Sequence, residues 1–228
     1  MRWIPDNTGR FDYRPYYEGI EMEDRCAAII REFAITRRGA LSFPIKTDDL
    51  TVLIEQYANL DSMADLSQEG EDVEGLTEFG TQPTVRISER LWEPKRENRL
   101  RTTLTHELGH VVFHNPLWLK KNNQIEFEFA DGLSEARCRR EAVLGIHPVD
   151  WMEWQAGYAC GAFLMPYTAI RKLIDSMGSG SLSTNSDEPI KVVRAMQELF
   201  HVSEEAAKVR LAKVGYASHQ NGELDFFL

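Results

Sequence analysis

The chain has 228 residues, of which 43% are hydrophobic, and this fits one ordinary domain or one domain with a small appendage. Its formal net charge of −10 argues against a nucleic-acid-binding surface, because phosphate contacts require a basic footprint. The three cysteines form no CxxC pair, no apolar leader opens the chain, and no stretch approaches the length of an apolar membrane span. We therefore expect a cytoplasmic protein without a membrane span and without direct nucleic-acid contacts.

Residues 1–45 are predicted to form an N-terminal arm followed by a helix. The first 20 residues are rich in aromatic residues, proline and glycine, and they show neither a helical nor a strand period. Residues 21–38 carry apolar side chains at three- and four-residue intervals, which is typical of a helix, and Gly39 suits its end. Pro44 marks a break before the next segment.

Residues 46–177 are predicted to form the core domain. The patterns indicate, in chain order, a helix over residues 49–60, strands over 74–79 and 84–88, a helix over 97–114, an alternating run typical of a strand within 122–132, and a long helix over 150–176. Pro166 lies inside the last of these, and it is expected to bend or interrupt that helix.

Residues 178–228 are predicted to form a linker and a C-terminal helical segment. The linker is rich in glycine and serine and extends to residue 189. Two short helices are expected at 190–200 and 204–214, with Ser203 as the N-cap of the second. Their basic and acidic residues roughly cancel, which favours a structural or docking role over the reading of DNA.

The run His-Glu-Leu-Gly-His at residues 106–110 carries the strongest chemical signal. His106 and His110 lie one helical turn apart, so both imidazoles face the same way and can share one Zn²⁺ ion. Glu107 can take a proton from a water that the metal activates. By composition alone the pattern arises by chance in about one chain of this length in a hundred, so the bare pattern is weak evidence. Together with its helical context, it favours a metal site over a pair of surface histidines by about two to one.

The surroundings of this run lead to two structural expectations. An apolar stripe on the opposite face would bury the helix against a core and leave the metal face open to a cleft; it consists of Leu100, Leu104, Leu108 and Val111. Gly109 inside a helix costs about 1 kcal/mol relative to alanine. Its presence indicates close packing against a neighbouring element.

A hydrolytic zinc site needs a third protein ligand and one open position. The metzincin pattern requires Gly and His where this chain has Phe113 and Pro116, so that class is excluded. A carboxylate from a following helix is the alternative. Glu153 is the leading candidate, because the small residues after it would let its helix approach the motif helix closely. The rivals that stay open are Glu141, Glu135, Asp150 and His147.

Other residues are candidates for supporting roles. His114 lies one turn beyond His110, where it can support that ligand, contact the metal, or simply form a polar edge of the helix. The oxyanion of a tetrahedral intermediate needs a donor besides the metal. Candidate donors are Tyr158, His147, Arg171 and His201, each of which also has an ordinary structural interpretation. Cys138 can ligate zinc as an inhibitory thiolate, although a bystander thiol, buried or exposed, is several times more common.

Two separated stretches resemble the ImmA/IrrE metallo-endopeptidases. The first is Leu-Thr-His-Glu-Leu-Gly-His-Val-Val-Phe-His at residues 104–114, and the second, residues 153–166, has Glu, then Ala three residues on, and closes with Leu-Met-Pro. Further runs at 75–79, 84–88, 200–203 and 209–211 extend the resemblance over roughly residues 50–215. The chain departs from the family in having Gly-Tyr-Ala at 157–159, where Asn-x-Phe is common, and in a longer stretch between the two motifs.

The resemblance implies a fold, a metal and an activity. The fold is a compact zincin-like α/β (α+β) domain, mostly helical, with a short mixed sheet packed on the HExxH helix and a small C-terminal helical tail. The implied ligands of one Zn²⁺ per chain are His106, His110 and Glu153, with manganese as an alternative metal, and Glu107 is the implied general base.

The resemblance also implies a class of substrate. By analogy with the family, the protein would cleave a helix-turn-helix transcriptional repressor of a mobile element or a stress response. The competing hypothesis is a non-catalytic, metal-stabilised binding module that sequesters a regulator or acts in a toxin–antitoxin pair.

Overall fold

The computed structural model describes residues 1–70, 72–124, 134–139, 150–178, 188–220 and 223–226. The helices are α1 (Gly19–Arg38), α2 (Thr47–Glu55), α3 (Glu97–Phe113), α4 (Asn115–Gln124), α5 (Trp151–Leu164), α6 (Tyr167–Ser176), α7 (Glu188–Phe200) and α8 (Glu204–Lys213). The strands are β1 (Arg2–Pro5), β2 (Tyr13–Tyr16), β3 (Asn59–Ala64), β4 (Val73–Phe79), β5 (Thr84–Ser88), β6 (Ser134–Arg139), β7 (Ala217–Gln220) and β8 (Glu223–Phe226). Two short 3-10 turns, Glu89–Trp92 and Pro94–Arg96, lead into α3.

Strand β4 lies inside a four-stranded mixed sheet of order β3-β5-β4-β6. It pairs antiparallel with both neighbours, so that Leu76 lies opposite Arg86 on one side and Arg137 on the other. Strand β3 runs parallel to β5 at the other edge. Helix α3 packs on β4 and, through its other side, on α5. The predicted α+β class, mostly helical with a short mixed sheet on the motif helix, is confirmed.

The main apolar core lies between the sheet and the helices. The apolar stripe predicted for α3 contributes to it, since Leu104 and Leu108 are fully buried. Helices α1, α5, α7 and α8 also supply core residues, such as Ile30, Phe163 and Phe200. The boundaries at residues 45 and 177 remain a prediction about domain organisation.

Several helix boundaries follow the sequence closely. Helix α1 ends where expected, because Gly39 adopts the left-handed conformation at φ 79° and its N–H bonds the carbonyl of Ile35. Pro166 separates α5 from α6. The hydroxyl of Ser203 accepts the N–H of Ala206 at 3.1 Å, which confirms it as the N-cap of α8.

One prediction near the sheet was wrong, and a second stays largely untested. The helix expected over residues 49–60 ends at Glu55, and Asn59–Ala64 form strand β3. This edge strand is largely exposed and lacks a clean apolar alternation, so its pairing with β5 decides its structure. The strand expected within 122–132 falls mostly outside the described residues, and residues 122–124 belong to α4.

The N-terminal arm also differs from its prediction, because β1 and β2 form an antiparallel hairpin. Its turn is closed by Asp6, whose carboxylate accepts the backbone N–H groups of Thr8 and Phe11 at 3.1 and 3.2 Å. This hairpin is closed by local hydrogen bonds between a side chain and the backbone. Hydrophobic periodicity does not report such bonds, so the sequence pattern did not predict the hairpin. Within the described residues, no helix has the length and apolar character that a membrane span requires.

Candidate metal centre

Gly109 allows α3 and α5 to approach each other closely along residues 106–110 of α3. A Cβ atom at this position would lie 3.1 Å from the Cα and carbonyl oxygen of Ala156 and from the Cβ of Ala159. One helical turn along the same contact, the Thr105 hydroxyl lies 3.3 Å from the Cys160 sulfur. The close packing predicted for Gly109 is therefore confirmed, and the small residues of α5 are its physical cause.

This packing brings together the three side chains that the sequence predicted as ligands. His106 Nε2 lies 3.2 Å from Glu153 Oε2, and His110 Nε2 lies 3.2 Å from Glu153 Oε1. The two imidazole Nε2 atoms are 3.2 Å apart. A tetrahedral ion with ligands at 2.0–2.1 Å has donor–donor edges of about 3.3 Å. The spacing and chemistry of these donors therefore fit a zinc ion.

The centre is almost entirely enclosed. His106, Glu107 and His110 have no exposed surface, whereas the Glu153 side chain keeps 17% of its surface exposed. The expectation that the metal face opens directly to a cleft was wrong, because α5 covers that face while the sheet covers the other. Access to the donors is therefore on the side of Glu153.

The charge state of Glu153 suits a ligand. Burial by itself would raise the pKa of this carboxyl group, but the charges and hydrogen bonds of His110 and His106 outweigh that effect. The pKa of Glu153 therefore lies below its ordinary value, and the group is a carboxylate at neutral pH.

A hydrogen-bonded relay orients His110. The amide Nε2 of Gln155 donates to the carbonyl oxygen of Pro15 at 3.0 Å, so its Oε1 faces His114. Only a donating Nε2–H of His114 satisfies that oxygen, at 3.1 Å, which leaves the His114 Nδ1 as an acceptor. His110 then donates from its Nδ1 to His114 Nδ1 at 2.9 Å, and its Nε2 lone pair points to the other donors.

His114 is thus placed behind His110 and outside the group of three donors. It is fully buried, and burial together with the nearby His110 holds the pKa of His114 well below its usual range. A neutral His114 is what the relay requires, because its Nδ1 must accept a hydrogen bond. The arrangement matches the supporting position that the sequence left open for this residue.

Strand β4 positions the Glu107 carboxylate. The hydroxyl of Thr77 donates to Glu107 Oε2 at 2.5 Å, and both residues are fully buried. A Cβ atom at Gly75 would lie 2.5 Å from Glu107 Oε1 and 2.8 Å from the Cγ2 of Thr103. The strand therefore contributes a hydrogen-bond donor and, two residues earlier, the space that the carboxylate occupies.

The N-terminal hairpin holds the first turn of α5, next to Glu153. Asp150, one of the rival ligands, caps this helix by accepting the N–H of Met152 at 2.8 Å. Arg10 forms an ion pair with Asp150 and donates to the Met152 sulfur at 3.2 Å. Asp150 is accordingly engaged as a helix cap, and α5 starts from a fixed position.

Tyr158 is turned away from the metal centre. It follows Glu153 by five residues, which corresponds to a rotation of about 140° around the helix. Its hydroxyl packs against Gly19 of α1 and interacts with Glu23 and Arg210, and burial together with Glu23 raises the pKa of Tyr158 to about 12. The oxyanion role considered for Tyr158 is therefore not supported by its position.

The other candidates lie elsewhere. Arg171 is exposed on α6 beside Asp175, and His201 is exposed at the end of α7. Glu135 and Cys138 belong to β6, of which the backbone alone is described, and Glu141 and His147 lie outside the described residues.

Sequence reasoning missed three residues of the centre: Gln155, Thr77 and Gly75. Gln155 had a detectable signal, because it is a polar residue inside a helix of small and apolar residues that buries its neighbours. Thr77 and Gly75 had none, since a threonine and a glycine in a short strand have many ordinary explanations.

Among protein-family profiles, that of peptidase M78, described as the IrrE N-terminal-like domain, matches residues 63–212. The matched range runs from β3 to α8 and contains the three donors, Glu107 and strand β4, which positions its carboxylate. No curated protein matches the chain. Since the matched range is more than half of the sequence, the chain belongs to the peptidase family of the IrrE N-terminal-like domain.

Proposed function

We propose that the protein is a zinc-dependent endopeptidase that hydrolyses a peptide bond in a regulatory protein. The observation that carries the proposal is the group formed by His106, His110 and Glu153. The two imidazole Nε2 atoms lie 3.2 Å from each other, and each lies 3.2 Å from one carboxylate oxygen of Glu153. The Glu107 carboxylate is next to His106 on the same helix. Membership of a peptidase family supports the hydrolytic activity.

In this proposal His106, His110 and Glu153 would hold the ion, and the remaining coordination would be open to water or substrate. When bound, zinc polarises the scissile carbonyl and lowers the pKa of a coordinated water toward about 7. Glu107 accepts a proton from the attacking water and then donates it to the amine nitrogen as the C–N bond breaks. The Thr77 hydroxyl keeps the carboxylate in place for both transfers.

The proposed substrate is a helix-turn-helix transcriptional repressor. The resemblance to the ImmA/IrrE metallo-endopeptidases suggests it, and the net charge of −10 is complementary to the basic surface of a DNA-binding protein. Cleavage would remove the repressor from its operator and switch on the genes that it controls.

The test combines metal analysis with a cleavage assay. Purified protein is expected to contain about one zinc per chain, because the three donors form a single site. It is expected to cut a small helix-turn-helix repressor encoded beside its own gene, with the fragments identified by mass spectrometry. Replacement of the bound metal by manganese in the same assay shows which ion supports the faster cleavage.

The variant Glu107→Gln separates catalysis from binding. It is expected to keep its zinc and to lose cleavage, because glutamine cannot accept the proton of the attacking water. Normal cleavage by this variant would overturn the mechanism. If Glu107→Gln instead keeps full biological activity while it binds the repressor, the protein acts as a metal-stabilised binding module.

A further inference from the structure

A cavity of about 540 Å³ lies beside the metal centre, between the start of α3, the middle of α5 and helix α8. It is bounded by both helices that carry the metal donors. The residues that matter for its chemistry are Glu74, Arg99, Thr102, Gly157, Arg210 and Lys213.

The cavity is lined by residues on the same faces of α3 and α5 as the metal donors. Thr102 precedes His106 by four residues on α3, and Gly157 follows Glu153 by four residues on α5. Residues four apart share a helix face, so the cavity begins one helical turn, about 5.4 Å, from the donors on both helices. Glu74 extends the same boundary on β4, next to the Gly75 that borders Glu107.

Glycines on α5 admit the basic side chains of α8. A Cβ atom at Gly157 would lie 3.6 Å from the Lys213 ammonium, and one at Gly161 would lie 2.9 Å from the Cδ of Arg210. The small residues of α5 therefore allow close contact with two helices, since Ala156 and Ala159 face α3 while the two glycines face α8.

The cavity contains cationic groups that are not fully paired. Arg99 is paired with Glu74 and Arg210 with Glu23, yet each guanidinium keeps one buried nitrogen without a hydrogen-bond partner among the described residues. Lys213 makes no hydrogen bond or ion pair with any side chain that the structure describes. Burial and the nearby Arg210 lower the pKa of Lys213 to about 8, so the ammonium is still largely protonated at pH 7.

We propose that this cavity is a subsite of the active centre and that the Lys213 ammonium binds a carboxylate of the peptide substrate there. The inference rests on the proposed peptidase function. An extended peptide advances about 3.3 Å per residue. The carboxylate therefore belongs to a residue about two positions from the scissile bond, either as an aspartate or glutamate side chain or as the C-terminus of the peptide.

The charges in the cavity favour a carboxylate over a phosphate. Phosphate is recognised by several donors or by a free guanidinium fork. Here a carboxylate already pairs with each of the three guanidinium groups that line the cavity. Lys213 is the one cation of the cavity without a partner among the described side chains. One positive charge that no described side chain pairs matches a single negative charge.

The experiment uses a Glu107→Gln background, in which peptides bind without being cut. The probes are fluorescein-labelled decapeptides of alanine, serine and leucine that carry glutamate or glutamine at one position, with free or amidated C-termini. Fluorescence anisotropy is expected to show at least about tenfold tighter binding of a glutamate peptide than of its glutamine partner, as for a charge-assisted hydrogen bond. If peptides with a free C-terminus bind more tightly than their amidated counterparts, with glutamate or with glutamine, the C-terminal carboxylate is the ligand instead.

Three second-site variants test the role of Lys213. Lys213→Met is expected to abolish the preference for the carboxylate, and Lys213→Glu to shift it toward peptides with lysine at the same position. Lys208→Met is the matched control on α8, because Lys208 is paired with Glu204 at 2.6 Å on the outer surface, and it is expected to leave the preference unchanged.

The outcomes distinguish this proposal from the proposed function. The subsite proposal is overturned if neither glutamate at any position nor a free C-terminus improves binding, or if Lys213→Met keeps the preference for the carboxylate. Cleavage of protein by the wild-type enzyme would leave the peptidase function intact in either case. Conversely, a Lys213-dependent preference without any cleavage would support the subsite and overturn the peptidase function.

Discussion

Replacing Gln155 by leucine tests how the fold prepares His110 for a metal. Leucine has a similar volume but offers no acceptor to His114, so the Nε2–H of His114 loses its partner at 3.1 Å. The tautomer of His114 is then no longer fixed. When its Nδ1 carries the proton, His110 must accept at Nδ1 and protonate the Nε2 atom that faces the other donors.

The size of the effect follows from this relay. Loss of a hydrogen bond behind a metal-binding histidine weakens metal affinity by about 10–100-fold, or about 1.4–2.7 kcal/mol. We expect Gln155→Leu to lie in this range and to add a modest loss of stability, because the carbonyl of Pro15 also loses its donor.

The assay is competition for zinc between the protein and a fluorescent chelator, with circular dichroism as a check that both proteins are folded. Gln155→Glu is the control, because it keeps an acceptor oxygen for His114. We expect this control to bind zinc at least about tenfold more tightly than Gln155→Leu. If Gln155→Leu binds zinc as tightly as the wild type, the relay does not orient His110 and the reasoning is refuted.

Three further predictions concern two glycines and the half-buried Lys213. Gly75→Ala is expected to displace the Glu107 carboxylate, because the added Cβ would lie 2.5 Å from its Oε1. We expect kcat/KM to fall about a hundredfold while zinc is retained. Gly80→Ala is the control that should keep full activity, because its added Cβ meets nothing within 4 Å. Gly109→Ala is expected to lower the free energy of unfolding by about 1–3 kcal/mol in urea titrations, because its Cβ meets facing backbone; unchanged stability would show that α5 can move away. Lys213→Met is expected to raise the free energy of unfolding at pH 7 by about 1–3 kcal/mol. Folding lowers the pKa of this lysine from 10.5 to about 8, so the unfolded wild type binds more protons between these values and the wild type gains stability as pH rises through them. The extra free energy of unfolding of Lys213→Met over the wild type should therefore shrink as the pH rises from 8 to 10.5. An extra free energy that stays constant over this range would contradict the prediction.

Local patterns predicted the elements that carry the chemistry. The spacing of His106 and His110 determines that both face one way on any helix, and the apolar stripe through Leu104 and Leu108 determines which side of α3 enters the core. Gly109 indicated a close neighbour without identifying it. These features depend on residues within one or two helical turns, which is the range in which sequence periodicity is informative.

Contacts between distant parts of the chain were not predictable in the same way. Glu153 is 43 residues beyond His110, and the residues alone left it in competition with four others. Gln155 depends on Pro15, 140 residues away. The enclosure of α3 on its metal side also depends on such packing, because the sequence indicated one apolar face and the structure buries both.

The strands show a related limit. β4 and β5 were recognisable because buried residues alternate or cluster along them, whereas β3 is an exposed edge strand defined by its backbone pairing. The position of Thr77 and Gly75 beneath Glu107 follows from how β4 lies across α3. No periodic pattern encodes that crossing.

The most direct test of the account is anomalous diffraction at the zinc edge from crystals of the Glu107→Gln variant grown with zinc. The account predicts one zinc ion per chain, bound by His106 Nε2, His110 Nε2 and a carboxylate oxygen of Glu153 at about 2.0–2.1 Å. Absence of zinc from this position, or a zinc ion held by other residues such as His114 or Cys138, would contradict it.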